Sequence, residues 1–219
     1  DAPNARDLKI DQGLLRFESV NFAYGNGPND RTVLKDISFE VKKGEVLGIV
    51  GAPGSGKSTL AHLIPRFYEV SSGRITIDGQ DVRSLTLSSL RSAVSLVQQE
   101  NFLFDTSVHN NVAYSEPQAG EERVIEAASV AQIHEHVEQL PKGYTTRVGE
   151  RGVALSGGQR QRMTIARGLL DQPSILVLDD STAAIDPATE QRVRAALQSS
   201  LQNTATIIIA HRLSSLKHA

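Results

Sequence analysis

Apolar and polar residues alternate along much of the first third of the chain, a pattern typical of short β-strands. The alternation covers residues 14–20, 33–41 and 74–79, and a stretch rich in Gly, Asn and Pro separates the first two runs. The run at 46–50 has no polar side chain, which predicts a buried strand. The first third is therefore predicted to hold several short strands.

The middle of the chain changes to the spacing of an α-helix. Apolar residues recur at helical intervals from Val124 to Leu140, and we expect Pro141 to end this single apolar stripe. A second helix is predicted over residues 157–170. A third is predicted to begin at Asp186, a capping residue that is followed by proline at the first helical position.

Two more apolar runs, at 175–178 and 206–210, are predicted to be buried strands. Strands that are apolar throughout and separated by helices are typical of a parallel sheet covered on both faces. The sequence therefore predicts an α/β protein.

Composition narrows the class of protein. The 219 residues suit one large domain, or a core with a subdomain, and the absence of cysteine excludes disulfides and thiolate metal sites. The net charge of −2 gives no sign of a nucleic-acid-binding surface, and no apolar run approaches the length of a membrane span. Residues 1–13 are polar and unpatterned, so we expect a linker in a piece cut from a longer chain.

A phosphate-binding loop is predicted at residues 51–58, GAPGSGKS, which match the pattern G-x-x-x-x-G-K-[ST]. Glycines let successive N–H groups point into one concavity, and the start of a helix adds partial positive charge. Lys57 is predicted to contact the β- and γ-phosphates of a nucleotide, and Ser58 to bind Mg²⁺. The alternative is a chance match in a glycine-rich turn, but the predicted strand before it and helix after it favour the phosphate loop.

Two carboxylates follow the apolar run at 175–178. Asp179 ends the predicted strand, where ligands of such sheets bind, and is a candidate Mg²⁺ ligand. Asp180 is predicted to point the opposite way, because side chains alternate along a strand, and is a candidate general base for an attacking water. A capped strand end is the simpler interpretation of the pair.

The string LSGGQ at 155–159 predicts a second phosphate cradle, because a serine and two glycines stand at the start of a helix. One nucleotide does not need two such cradles from the same molecule. The second is therefore expected to serve a nucleotide held by another subunit, with an ordinary capped helix as the alternative.

These motifs resemble the nucleotide-binding domain of an exporter-type ATP-binding-cassette (ABC) transporter, over residues 14–219. The resemblance implies a phosphate-loop NTPase (RecA-like) core with a mostly parallel sheet, a small antiparallel β subdomain and an inserted helical subdomain at about residues 100–158. It implies ATP and Mg²⁺ as ligands. It also implies ATP hydrolysis that powers export, at the cytoplasmic face of a membrane.

The resemblance assigns roles to individual residues. Tyr24 would stack on adenine, Gln99 would contact Mg²⁺ and water, and His211 would contact the γ-phosphate. The alternative for Tyr24 is an aromatic side chain in the core, and the alternative for His211 is an ordinary histidine after a strand. The implied catalytic residues are Asp180, His211, Gln99 and Lys57, and the implied metal ligands are Ser58, Gln99 and Asp179. The implied nucleotide contacts are Tyr24, Gly51, Pro53, Gly54, Ser55, Gly56, Lys57, Ser58 and Thr59, with Ser156, Gly157, Gly158 and Gln159 offered to a partner's nucleotide.

The implied partners are a second nucleotide-binding domain, stacked head to tail, and a transmembrane domain contacted near Gln99 and Glu150. Residues 149–152 resemble a segment specific to exporters, and residues 183–186 a loop that crosses the dimer interface. No nucleic-acid partner is implied. The arginines at 160, 162 and 167 are expected on a solvated or interface face of the helix predicted over residues 157–170.

Two features depart from the family pattern. Asp180 stands where glutamate is usual, and the sequence ends before the last strands and helix that the family normally has. The shorter carboxylate suggests a slow, degenerate site in a heterodimer, with a homodimer in which Asp180 suffices as the alternative. A soluble ABC ATPase of DNA repair or translation and a non-hydrolysing regulatory subunit also remain open.

Overall fold

The computed structural model describes residues 2–25, 31–149, 153–180 and 184–210. Its strands are β1 (Leu15–Ala23), β2 (Thr32–Val41), β3 (Val46–Val50), β4 (Ser72–Ile77), β5 (Gln80–Asp81), β6 (Val94–Val97), β7 (Thr106–Ser107), β8 (Arg147–Val148), β9 (Ile175–Asp179) and β10 (Ala205–Ala210). Its α-helices are α1 (Lys57–Leu63), α2 (Leu87–Ala93), α3 (Val108–Val112), α4 (Glu121–Val130), α5 (His134–Glu138), α6 (Gly157–Leu169) and α7 (Pro187–Ser200). Short 3₁₀ helices cover Val82–Ser84 and Gly143–Thr145.

The chain divides into two compact units. The first comprises the described residues up to Leu96, together with Ser174–Asp179 and those from Asn203 onward. The second comprises Val97–Pro173 and Asp180–Gln202, again for the described residues. Both units are therefore discontinuous in sequence.

An antiparallel sheet forms one part of the first unit, in the order β2-β1-β4-β5. Strand β1 pairs with β2 so that Phe17 lies opposite Phe39, and their rings stack with centroids 4.5 Å apart. On β1 the side chains of Leu15 and Phe17 are buried and that of Arg16 is exposed, as the alternation predicts. Burying such side chains contributes about 2 kcal/mol each.

A second sheet carries the phosphate loop, in the order β3-β10-β9-β6. Strand β10 runs parallel to both β3 and β9, and its Ile209 is level with Ile49 on one side and Asp179 on the other. The prediction of parallel strands is confirmed, and β9 and β10 are buried as expected. The prediction that the run at 46–50 is buried is wrong, because β3 is only half-buried and its Val50 is exposed. Because these strands share one direction, the loop after β3 and the carboxylate that ends β9 lie at the same edge of the sheet.

The segment before β1 is attached to the first unit by the carboxylate of Asp78. Its Oδ2 accepts backbone N–H groups from Asp11 (2.8 Å), Gln12 (3.2 Å) and Gly13 (3.1 Å), and Oδ1 accepts that of Leu14 at 2.8 Å. Burial by itself raises the pKa of Asp78, but these four donors outweigh it and the net pKa lies below 3.8. The predicted linker segment is therefore hydrogen-bonded to this unit immediately before β1.

The second unit is mainly helical, with α6 packed against α3 and α4. Its buried apolar side chains include Val108, Val124, Ala128, Met163 and Ile165. The helix start predicted at Asp186 is confirmed, since the Asp186 side chain accepts the Thr189 N–H at 3.0 Å.

The single apolar stripe predicted from Val124 to Leu140 is wrong. Helix α4 ends at Val130 and α5 begins at His134, because Gln132 between them has a φ of +57° and cannot continue a helix. Ile133 and Val137 are nevertheless fully buried, so the apolar pattern marks the core correctly but not the helix.

Within the described ranges, no helix is long and apolar enough to cross a bilayer.

Candidate functional site

The phosphate loop predicted at 51–58 lies between β3 and α1, as its motif requires. Gly54 and Gly56 have φ values of +78° and +92°, which L-side chains rarely adopt. A Cβ added at Gly56 would lie 2.8 Å from Leu34 Cδ2 and 3.0 Å from Val33 Cγ1, so β2 packs directly against the loop. Glycine is therefore needed at position 56 for both its backbone angles and its size.

Lys57 closes this loop onto itself. Its ammonium donates to the carbonyl oxygens of Gly51 (2.7 Å) and Ala52 (2.9 Å), and more weakly to Ser55 Oγ at 3.4 Å. Only 8% of Lys57 is exposed. A buried ammonium needs such acceptors, and phosphate oxygens can replace the carbonyls because they bind a cation more strongly.

Three other predicted residues belong to the same unit. Asp179 ends β9 with only 5% exposure, whereas Ser58, which follows the loop lysine, is exposed. Tyr24 is 45% exposed, and its hydroxyl hydrogen-bonds Thr59 Oγ1 of α1 at 2.9 Å. Its edge-to-face packing on Tyr68, with centroids 5.2 Å apart, holds the exposed ring beside the helix that the loop begins.

In the second unit, the predicted cradle at 155–159 starts α6 through a reciprocal cap. Ser156 Oγ accepts the Gln159 N–H at 3.3 Å, and Gln159 Oε1 accepts the Ser156 N–H at 2.7 Å. The remaining amide nitrogen of Gln159 faces His136 Nδ1 at 3.4 Å. Burial, and then the charge of Arg162, lower the pKa of His136 below 6.5, which favours the neutral ring that accepts this contact.

Asp180 and Gln99 also meet in this unit, with Gln99 Nε2 donating to Asp180 Oδ2 at 3.3 Å. The prediction that strand alternation sets the direction of Asp180 is wrong, because β9 ends at Asp179 and Asp180 has a φ of +46°. A turn of the main chain, not strand alternation, sets where its carboxylate points.

The arginines of α6, expected on a solvated or interface face, also bond main-chain carbonyl oxygens. Arg160 is exposed, whereas Arg162 and Arg167 are half-buried. Arg160 donates to the Leu155 carbonyl oxygen at 2.5 Å, and Arg167 donates to the Asn111 carbonyl oxygen at 2.7 Å. Arg162 bonds the carbonyl oxygens of Gly158 and Gln132. The bonded carbonyl oxygens lie just before α6, within α6, in α3 and between α4 and α5. Helical spacing alone carries no signal for such contacts.

Several predicted residues lie outside the described part of the chain. They are His211, Glu150 with most of the segment 149–152, and the first residue of the segment 183–186. Their predicted roles stay predictions.

The parallel sheet, the loop at its edge and the helix that follows define the class: a phosphate-loop nucleoside triphosphatase fold. A family model described as ABC transporter matches residues 34–183, and the chain belongs to that family.

Individual relatives agree with this family. The chain is 47% identical over 219 residues to a heavy metal tolerance protein of Schizosaccharomyces pombe. It is 46% identical over 215 residues to a putative multidrug export ATP-binding/permease protein of Staphylococcus aureus. A solved bacterial Atm1-family ABC exporter with ATP bound matches the whole chain with a TM-score of 0.93 and 43% identity.

The match covers only part of each relative. The chain spans 26% of the yeast protein, 37% of the staphylococcal protein and 38% of the exporter chain of known structure.

The family match and these relatives confirm two predictions, the resemblance to an exporter-type nucleotide-binding domain and the α/β phosphate-loop fold.

Proposed function

We propose that this chain binds and hydrolyses ATP with Mg²⁺ to power export across a membrane, from the cytoplasmic face of an integral membrane transporter. The phosphate loop is the observation that carries the proposal. Its glycines have the positive φ values that let backbone N–H groups point toward an anion, and the Lys57 ammonium is bonded to the Gly51 carbonyl oxygen of the same loop. Family membership and the exporter relatives support the transport role.

ATP binding would exchange the contacts of Lys57 for phosphate oxygens, with the exposed Tyr24 ring stacked on adenine. Ser58 and Asp179 would hold Mg²⁺, since hydroxyl and carboxylate oxygens are the hard ligands that this ion prefers. When bound, the ion would neutralise charge on the phosphates.

The capped start of α6 supports a dimer. Ser156, Gly157, Gly158 and Gln159 would contact the γ-phosphate of ATP held by a second nucleotide-binding domain, and the reverse contact would complete the other site. ATP would then stabilise the closed pair by binding it more tightly than the open one. The partner transmembrane domain would contact the chain near Gln99 and Glu150.

Asp180 is the proposed general base, and its length suggests slow turnover. A carboxylate one methylene shorter than glutamate loses about 1 Å of reach, which can cost on the order of a hundredfold in rate. Asp180 therefore also favours a second candidate function, in which the chain mainly retains ATP while a glutamate-bearing partner hydrolyses it.

Steady-state ATP turnover tests these statements, with Mg²⁺ and at protein concentrations that allow dimers. We expect Lys57→Ala to abolish ATP binding, and Asp180→Glu to raise kcat about tenfold or more with little change in KM. Brisk native turnover that glutamate does not improve would refute the slow site. Failure of the native chain and of Asp180→Glu to bind ATP would refute the proposed function itself.

A further inference from the structure

A buried glutamine of α6, Gln161, joins two separate points of the main chain. It is 1% exposed, and both ends of its amide are used. Nε2 donates to the Asp180 carbonyl oxygen at 3.3 Å, and Oε1 accepts the Ala184 N–H at 2.8 Å. These two backbone groups stand on either side of residues 181–183.

The chemistry of the two partners fixes the orientation of this amide. A backbone N–H can only donate and a carbonyl oxygen can only accept, so Gln161 must present oxygen to Ala184 and nitrogen to Asp180. An apolar side chain of similar length satisfies neither partner, and an ionised glutamate has no proton for the carbonyl. Because the site is buried, losing either bond is costly.

Asp180 has a main-chain conformation that needs support. Its φ of +46° is uncommon for a residue with a side chain, and the direction of the carboxylate follows from that turn. Gln161 holds the carbonyl oxygen of the turn, while Gln99 Nε2 lies 3.3 Å from its carboxylate Oδ2. The two amides therefore act on different parts of the same residue.

A second close contact joins α6 to the chain after residue 183. A Cβ added at Gly158 would lie only 2.9 Å from the Ala184 carbonyl oxygen, so the first turn of α6 packs directly on that backbone. Gly158 belongs to the second phosphate cradle at 155–159, and Gln161 stands three residues further along the same helix. The cradle and the main chain at 180 and 184 are thus held by one helix.

We propose that Gln161 is a positioning residue, which fixes the turn at Asp180 and the backbone at Ala184 to α6 and so aims the Asp180 carboxylate. This inference rests on the proposed function for the role of Asp180 as general base. It extends that function by tying the base to the cradle that a partner's ATP would contact.

Amide hydrogen exchange tests the contact without any need for ATP. In Gln161→Met the Ala184 N–H loses its acceptor, and we expect its exchange, measured by NMR on the nucleotide-free chain, to accelerate about tenfold or more. Ile133→Val, which removes one buried methyl group elsewhere in the same unit, is the matched control and should leave Ala184 near its native rate. Unchanged exchange in Gln161→Met would overturn the inference.

Turnover kinetics test the positioning role. We expect Gln161→Met to lower kcat about tenfold while KM for ATP stays within about twofold, since Lys57 and its loop are untouched. In an Asp180→Ala background the same substitution should cost nothing more, because its effect passes through Asp180. An equal loss in both backgrounds would show a structural effect and overturn the proposal.

Gln161→Glu gives a third readout. A protonated carboxyl can donate and accept as the amide does, whereas the ionised form cannot donate. We therefore expect kcat relative to the native chain to fall as pH rises from about 6 to about 9, and a flat ratio would count against the hydrogen bond. If the native chain shows no turnover at all, the ATPase proposal fails with its catalytic extension, but the exchange result still decides whether Gln161 holds Ala184.

Discussion

Replacing Asp78 by asparagine should loosen the attachment of the segment that precedes β1. The carboxylate accepts four backbone N–H groups, three on Oδ2 and the fourth, from Leu14, on Oδ1. Asparagine keeps one oxygen, which can face the three donors, but it then turns an NH₂ group toward the Leu14 N–H. Both Asp and Asn tolerate the φ of +49° at this position, so the backbone turn itself should survive.

The expected cost is about 3 kcal/mol of unfolding free energy. A part-buried N–H left without an acceptor costs roughly 1–3 kcal/mol, and hydrogen bonds to a neutral oxygen are about half as strong as those to a carboxylate. The bonds from Asp11 and Gln12 are exposed and count for less. For a chain of this size the loss corresponds to about 6–12 °C in Tm.

The effect should also depend on pH. Because the folded-state pKa of Asp78 lies below 3.8, its unfolded value, the carboxylate contributes stability that is complete above that value. The contribution is lost as pH falls through the lower, folded-state pKa. The gap between the native chain and Asp78→Asn should therefore be full at about pH 6 and shrink below pH 3.8.

Thermal and urea unfolding at several pH values measure this gap. Asp36→Asn is the matched control, because Asp36 is exposed, lies in the same unit and has a similar φ of +47°. It should shift Tm by no more than about 1 °C. If Asp78→Asn behaves like Asp36→Asn, or if its gap does not narrow in acid, the four hydrogen bonds do not hold the segment and this reasoning is wrong.

Two further predictions concern ligand binding and protonation. If the exposed ring of Tyr24 stacks on adenine, Tyr24→Ala should raise the Kd for ATP about tenfold or more in a fluorescence titration. Tyr24→Phe keeps the ring and loses only the hydrogen bond to Thr59, so it should change the Kd little. Equal effects of the two substitutions would refute stacking. His136 faces Arg162 of α6 and the Gln159 amide, and an NMR titration should give it a pKa below 6.5. The stability that its neutral ring contributes should be lost as pH falls from 6.5 through the folded-state pKa. A pKa at or above 6.5 would contradict the buried contact.

Local patterns were sufficient for the buried strands and the phosphate loop. The runs at 175–178 and 206–210 are apolar because β9 and β10 are buried, and composition alone records that. The run at 46–50 is equally apolar although β3 is only half-buried. The loop glycines were also predictable from the local sequence, because the motif places glycine at position 56, where the positive φ leaves few other residues possible.

Features that depend on one residue's backbone angle, or on distant partners, were not predictable. The break at Gln132 leaves the apolar spacing intact, so the helical pattern continues through a residue that is not helical. The contacts of Asp78 join residues 64–67 positions apart, and no local pattern records them. The same holds for Gln161, whose partners lie 19 and 23 positions away and whose neighbours in sequence look like an ordinary polar helix face.

Two aspartates with a positive φ use their side chains in different ways. Asp78 stabilises its surroundings with its own carboxylate, which is committed to four backbone donors. At Asp180 the carbonyl oxygen is held by another residue, Gln161, so the turn does not depend on the Asp180 carboxylate alone. A general base must be aimed by something other than its own reactive group, since that group has to exchange a proton.

The turn also affects the expected result of Asp180→Glu. Aspartate tolerates a positive φ better than glutamate does, so the glutamate side chain gains reach at some cost in backbone strain. A gain in kcat accompanied by a lower Tm would be the signature of that balance.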